Sequence, residues 1–233
     1  MKKKSLLITI IILVVIAIIV IGVSLFLAYK DIDARNQLIA QINALNENNL
    51  NTEVTLEGDY GLIEKVVKED YKTYYESINK LRDNYDKLSS LAVLNIENFE
   101  NDGSEFAASL ETLNTIKTEN ENMLAALNDL ADDVKIEEKL AANNITGENK
   151  SLYREIITEL KLKEGVVKIK ESDTKFSTYL GSLIDVLTYL KDNKNEWFIE
   201  NGALKSKSQA FIDQYNQKVQ AIEGMETATE GQN

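Results

Sequence analysis

The longest apolar stretch of the chain is near its N-terminus. Residues 5–29 carry no charge and consist almost entirely of Ile, Leu, Val and Ala. About 20 apolar residues cross the ~30 Å hydrocarbon core of a bilayer, so this segment is long enough to span it with some tilt. A cleaved signal peptide has a shorter apolar region and ends in a small-x-small site, whereas Phe26 stands two residues before Ala28. The pattern therefore predicts an uncleaved transmembrane signal anchor over 5–29.

The charges beside this segment predict its orientation. Residues 1–4 form a basic tip with three lysines, whereas the basic residues after the segment are interspersed with aspartates. Positively charged flanks stay in the cytoplasm, so we expect a single-pass cell-membrane protein with a cytoplasmic N-terminus and an extracytoplasmic C-terminal part. That external part has 23 basic and 38 acidic residues, a net charge of −15, which suits a domain held off an anionic membrane by like charge. Abundant Asn, Lys and Ile favour a low-GC genome and a bacterial cell envelope.

Residues 30–58 are expected to connect the anchor to a folded domain. Apolar residues recur every three or four positions after the anchor, so its helix should continue as a short stalk to about Asn46. The Asn-rich stretch that follows, up to Gly58, predicts a linker.

A regular apolar seam marks the next segment. Its alternating intervals of four and three last for almost four heptads, which predicts a coiled-coil-like helix from Asp59 to about Glu100. The seam consists of Val67, Tyr71, Tyr74, Ile78, Leu81, Tyr85, Leu88 and Ala92. Asp102 and Glu105 then have the spacing of a capping box, which predicts that a second long helix begins there.

The remaining sequence predicts two more helices. The second long helix should fade near Asn143, and a third should begin near Glu148. Within the third, residues 160–170 alternate with period two. A kinked helix is favoured there over a short hairpin because helical patterns flank the stretch on both sides. After a break over 195–202, a shorter amphipathic helix should begin near Leu204.

These elements predict an all-α fold. We expect an N-terminal transmembrane helix followed by an elongated antiparallel bundle over 59–224, made of three long helices and a shorter C-terminal helix with coiled-coil-like packing. Residues 225–233 are expected to form a disordered tail. The heptads alone leave open whether the seam closes within one chain or between chains.

Composition narrows the chemistry. The 233 residues include no Pro, no Cys and no His. The missing residue types remove thiol nucleophiles, Ser-His-Asp triads and the usual zinc ligands. A net charge of −12 argues against electrostatic nucleic-acid binding. We therefore expect no enzyme activity, no cofactor, no metal and no nucleic-acid partner, with a hydrolase that uses paired carboxylates as the remaining enzymatic alternative.

Aromatic residues are the candidates for partner or ligand contact. Tyr75 lies beside the heptad seam and is the best surface candidate among the tyrosines of its helix, whereas Tyr71, Tyr74 and Tyr85 occupy seam positions and are expected in the core. Trp197 and Phe198 lie between polar breaks at a predicted bundle end. They form either an exposed contact site or, by the favoured interpretation, a plug that closes the core.

One segment imitates the start of a calcium loop. Residues 98–103 read Asn-Phe-Glu-Asn-Asp-Gly, but the first position is Asn and the bidentate Glu expected at position twelve is Ser109. The sequence therefore gives no metal site.

The leading functional hypothesis is a non-enzymatic protein-interaction or scaffold module of a cell envelope. Its partners would be the membrane, through residues 5–29, and another envelope protein or a second copy of the chain. The alternative is a ligand-binding sensor or accessory subunit that recognises a small molecule, a cation or a cell-wall glycan. That alternative predicts a pocket near Trp197 or near residues 161–170.

Overall fold

The structure, a computed structural model, describes residues 20, 21, 23–25 and 29–230, except for the side chains of 223–230. Helix α1 covers 29–43. The other elements are α2 Gly58–Ser90, α3 Ile96–Asp102, α4 Ala107–Ala131, α5 Asp133–Ala142, α6 Glu148–Glu159, α7 Leu162–Asp192, β1 Trp197–Glu200, β2 Ala203–Ser206 and α8 Gln209–Glu230. The predicted all-α class is confirmed in this coarse form, and a two-stranded hairpin is added to it.

In the part of the chain that the structure describes, no helix is long and apolar enough to cross a membrane. Most of the predicted span over 5–29 lies outside the described residues.

The chain divides into two compact units. Unit 1 comprises Met1–Lys72 and Glu137–Ile157, and unit 2 comprises Thr73–Ile136 and Thr158–Asn233.

Helix α1 belongs to the packed part of unit 1. Its Leu38 and Ile42 are buried, and its Arg35 forms an ion pair of 3.2 Å with Glu155 of α6. The sequence analysis sets residues 30–58 apart from the bundle as stalk and linker. In the structure this segment is part of unit 1, because Leu38 and Ile42 of α1 are covered and Arg35 is paired.

The segment before α2 is held by a buried ion pair of unit 1. The carboxylate of Glu64 accepts the backbone N–H groups of Thr55 (3.0 Å) and Leu56 (2.9 Å). The ammonium group of Lys68 donates to Glu64 (2.7 Å) and to the carbonyl of Glu53 (2.7 Å). Both charged side chains are almost fully buried, so each needs these partners. The predicted Asn-rich linker therefore ends in a fixed conformation along α2.

Unit 2 contains an antiparallel three-helix core built from α2, α4 and α7. A larger apolar cluster includes Leu88, Leu113 and Leu180 of the three helices, and a smaller one includes Leu127 and Val166. Along the chain, α4 passes from the larger cluster to the smaller and α7 passes back again. The predicted up-and-down helical arrangement is present in this unit, and α8 and the hairpin pack on its larger cluster.

The predicted first long helix is too long. Helix α2 ends at Ser90 rather than near Glu100. The hydroxyls of Ser89 and Ser90 donate to backbone carbonyls of the last turn, and Asn95 then starts the separate helix α3 by accepting the N–H of Asn98 (2.7 Å).

The predicted second long helix is also divided. The capping box of Asp102 and Glu105 does not form, because Asp102 accepts the N–H groups of Ala108 and Ser109 at the start of α4 instead. Asp132 has extended backbone angles and caps α5 with its side chain, which separates α4 from α5.

The third predicted helix is interrupted at two residues, Leu160 and Lys161. Lys161 adopts left-handed backbone angles (φ 54°, ψ 28°) between α6 and α7. Residues 162–170 are helical, so the favoured kinked helix is confirmed and the alternative hairpin over 160–170 is wrong.

The C-terminal predictions need two corrections. Leu204 lies in β2, and the last helix begins at Gln209. Helix α8 continues to Glu230 through most of the predicted tail, and 231–233 lie outside the described residues.

Candidate functional site: the hairpin of unit 2

A tight turn creates the hairpin from residues that the sequence analysis treats as a break. Asn201 and Gly202 both have positive φ, 53° and 71°, as a two-residue type I′ turn requires. Strands β1 and β2 pair antiparallel, with Glu200 opposite Ala203. The signal that could have found it is the Asn-Gly dipeptide between Trp-Phe-Ile-Glu and Ala-Leu-Lys-Ser, because Asn-Gly flanked by alternating apolar residues is the strongest short-range hairpin signal.

The inner face of the hairpin closes the larger apolar cluster. The ring of Trp197 stacks on Phe106 (centroids 5.8 Å apart) and lies 6.2 Å from Phe99. Its indole N–H donates to the carbonyl of Leu190 (2.8 Å). The favoured interpretation of Trp197 as a plug fits this geometry.

The outer face exposes an aromatic side chain. Phe198 is 42% exposed and stands opposite Lys205 in the hairpin register. Lys205 forms an ion pair of 2.6 Å with Glu200 on the same face. The hairpin therefore presents an apolar ring beside an ion pair. Protein interfaces typically combine aromatic residues at the centre with polar residues at the rim.

Tyr75 lies in another part of unit 2. It is half-buried, and its ring meets that of Tyr74 edge to face (5.2 Å, 82°). Burial, and then the neighbouring Tyr75, raise the pKa of the Tyr74 hydroxyl. Tyr74 packs on the smaller apolar cluster, whereas Trp197 packs on the larger one. The structure therefore brings Trp197 and Phe198 together and leaves Tyr75 elsewhere.

The prediction that Tyr85 is a core residue is wrong. Tyr71 is buried, but Tyr85 is 53% exposed and leans on Phe176. The buried side of α2 follows another heptad row, which comprises Ile63, Asp70, Ser77 and Asn84. The pattern of apolar residues could not reveal this row, because three of its four members are polar.

Buried ionisable groups of unit 1 are satisfied internally. Tyr153, 1% exposed, donates its hydroxyl proton to Asp70 (2.5 Å), which also accepts from Lys139 (2.5 Å). Burial and the charge of Asp70 raise the pKa of the Tyr153 hydroxyl far above its ordinary range. A tyrosine held protonated in this way anchors a packed helix and offers no base for catalysis.

Two grooves are present on unit 2. One, of about 340 Å³, is lined by α3, α4 and the preceding loop and includes Asn95, Glu97 and Asn101. The other, of about 590 Å³, lies between α7 and α8 and includes Tyr189 and Lys218. Neither of these two grooves is lined by residues of 161–170.

In the segment that imitates a calcium loop, polar side chains form hydrogen bonds to other groups of the fold. The amide of Asn98 donates to the Val93 carbonyl and to the hydroxyl of Ser109. Burial acts to raise the pKa of Asp102, but bonds from Ser109 and Ala108 outweigh it and lower the pKa. In the part of the chain that the structure describes, no group of three or more acidic side chains is arranged to hold a metal ion.

Comparison with known proteins gives no relative. No protein-family model, no curated protein and no solved structure matches the chain.

Proposed function

We propose that the chain is a membrane-anchored, extracytoplasmic, non-enzymatic helical-bundle protein of a bacterial cell envelope, and that it binds another envelope protein through the outer face of the hairpin. The observation that carries the contact is the exposed ring of Phe198, presented by a hairpin that Trp197 fixes to the core. Aromatic side chains that need no reordering on binding contribute strongly to interfaces.

Membrane attachment is supported by the sequence. The 25 uncharged residues of the segment 5–29 follow three lysines, and the positive-inside rule then places the folded units outside the cytoplasm. The acidic external part, with its net charge of −15, suits a domain that like charge holds off the anionic lipid surface.

The non-enzymatic part of the proposal is supported by residue chemistry. The chain has no His and no Cys, the groups that most often act as base or nucleophile near neutral pH. Several carboxylates are engaged in ion pairs with lysines, as Glu119 is with Lys80 and Asp133 with Lys163, so they have structural partners.

Site-specific photo-crosslinking in the native host tests the contact. The full-length chain would carry the photoreactive p-benzoyl-phenylalanine in place of Phe198 or, as the matched control, in place of Tyr85. Both positions are exposed aromatics of unit 2, but only the first lies on the hairpin. We expect a discrete adduct with one other envelope protein from position 198 alone. Equal adducts from both positions, no adduct from 198, or an adduct only with a second copy would contradict the proposal.

A ligand-binding sensor is the second candidate, and the groove beside α3 favours it. Its volume of about 340 Å³ is within the range of small-molecule sites, and its Asn side chains could bond a sugar hydroxyl. Binding to the native state alone would raise the melting temperature. The test is a thermal-shift series with calcium and with cell-wall saccharides, using Asn101→Leu as the groove variant. A shift that this variant abolishes supports the sensor, and a flat series argues against it.

A further inference from the structure

A chain of hydrogen bonds crosses the three-helix core of unit 2 and is buried at its link between α2 and α4. The amide of Asn84 in α2 donates to the side-chain oxygen of Asn120 in α4 (3.0 Å). Asn120 in turn donates to the carboxylate of Asp173 in α7 (3.2 Å), which also accepts from the hydroxyl of Ser177 (2.9 Å). Both Asn side chains are 2% exposed. We call Asn84, Asn120 and Asp173 the polar layer.

The polar layer separates the two apolar clusters of unit 2. On α2, Asn84 lies between Leu81, which packs on the smaller cluster, and Leu88 of the larger one. The same order holds on α4 and α7. Each of the three helices therefore contributes one polar residue at the same level, between the two apolar clusters.

On α4 and α7, the positions one heptad before and after the polar layer are apolar. Seven residues before and after Asn120 stand Leu113 and Leu127, both buried. Seven residues before and after Asp173 stand Val166 and Leu180, also buried. A slip of α4 by one heptad would therefore place an aliphatic side chain opposite the amide of Asn84, and a slip of α7 would place one opposite the amide of Asn120.

Such a slip would leave a buried amide without a partner. In the observed register, every buried side-chain nitrogen or oxygen among the described residues has a hydrogen-bond partner. The free-energy cost of a buried polar group that has lost its hydrogen-bond partner exceeds the net stabilisation that the hydrogen bond provides. In coiled coils, a single buried Asn can accordingly fix register and the number of strands at some loss of stability.

We propose that the polar layer fixes the register of the three core helices of unit 2 and prevents them from pairing out of register with the helices of a second copy. An apolar face alone accepts any long amphipathic helix, including one from another molecule. Three polar residues on three different helices are satisfied together only in the observed register. This inference goes beyond the proposed function and stands whether or not the hairpin binds a partner.

The layer is tested by replacing it with leucine in the full-length protein. The variant is Asn84→Leu with Asn120→Leu and Asp173→Leu. Its matched control is Asp86→Leu with Asn128→Leu and Glu171→Leu, which puts three leucines at exposed positions of the same helices. Two copies with different affinity tags would be co-expressed, extracted in mild detergent and isolated by one tag, and recovery of the other tag would be measured.

We expect the wild type and the control to recover little of the second copy. The layer variant should recover at least about tenfold more and should melt at a higher temperature, since leucines in a core replace buried polar groups. The double variant of Asn84→Leu and Asn120→Leu, which leaves Asp173 paired with Ser177, provides a second route if the triple variant does not fold. Strong recovery with the wild type, equal recovery with the control, or folded layer variants that recover no more than the wild type would overturn the proposal.

Discussion

Gly61 shows how tightly a single residue of unit 1 is constrained. A Cβ at this position would lie 2.3 Å from the backbone oxygen of Leu56, in the segment that Glu64 holds against α2. Gly181 of α7 is its opposite, because nothing lies within 4 Å of a Cβ there. The difference cannot be seen in the sequence, since both glycines lie inside helical patterns.

These two glycines give a matched stability test. Gly61→Ala should lower the free energy of unfolding by about 1–3 kcal/mol through the forced backbone shift. Gly181→Ala should raise it by about 0.5–1 kcal/mol, because alanine restricts the unfolded chain and fits the helix. Urea unfolding of the full-length protein in detergent, followed by circular dichroism, measures both. Equal effects of the two substitutions would contradict the contact with Leu56.

Two carboxyl groups are shifted in opposite directions. Burial acts to raise the pKa of Glu64, but bonds from Lys68 and two backbone N–H groups outweigh it, so the pKa lies below its ordinary value of 4.5. Burial raises the pKa of Asp173 above 3.8, although Ser177 and Asn120 partly oppose it. Glu64 therefore stabilises the fold above pH 4.5 and loses this contribution as the pH falls through its folded pKa. The charge on Asp173 opposes folding at neutral pH, and this penalty disappears as the pH falls through its raised pKa toward 3.8.

Neutral amides at these positions should therefore act with opposite signs. Glu64→Gln should lower the melting temperature at pH 7, because it leaves Lys68 buried without its counter-charge. Asp173→Asn should raise it at pH 7, since the amide can still accept from Asn120. Both differences from the wild type should shrink as the pH approaches 4 and below. Melting curves of the two variants between pH 3 and 7 provide the measurement, and shifts of the same sign would contradict the assigned environments.

The hairpin is the element that sequence reasoning missed. Helical periodicity predicts the presence of α2, α4 and α7 because their apolar faces repeat many times, but it does not predict where they end. Strands of four residues contain too few apolar repeats for periodicity to reveal them, so the turn dipeptide Asn201-Gly202 is the strong sequence signal for the hairpin. The helix end at Ser90 was missed for a related reason, since side-chain hydrogen bonds in the last turn accompany the end of a helix without changing its apolar pattern.

The turn can be tested with the single tryptophan of the chain. Gly202→Val places a β-branched side chain at φ 71°, which strongly disfavours the turn. We expect the fluorescence of Trp197 to shift to longer wavelength as its ring leaves Phe106 and meets water. Asn201→Gly keeps a sequence suited to the same turn and should leave the spectrum unchanged. An unshifted spectrum for Gly202→Val would show that the turn does not hold Trp197 in place.

At the scale of the whole molecule, the sequence predicts the membrane attachment and the helical class. It does not predict the hairpin that presents the proposed contact residue Phe198. The proposed anchor rests on 25 uncharged residues, and the three-helix core rests on apolar repeats of α2, α4 and α7 whose clusters lie in unit 2. The proposed contact face of Phe198 depends on the hairpin, and the proposed role of the polar layer in register depends on polar residues that an apolar pattern does not record. The central claim of the proposed function is that the chain is anchored in a membrane at residues 5–29 and carries its folded units outside the cytoplasm.

Cysteine accessibility tests that claim most directly, because the chain has no cysteine of its own. Full-length variants with Ser90→Cys, an exposed position of α2, or Lys3→Cys, within the basic tip, would be treated in intact cells with a membrane-impermeant maleimide. We expect both proteins in the membrane fraction after an alkaline wash, Ser90→Cys labelled in intact cells, and Lys3→Cys labelled only after lysis. Release of the protein by the wash, or labelling of Ser90→Cys only after lysis, would contradict the claim.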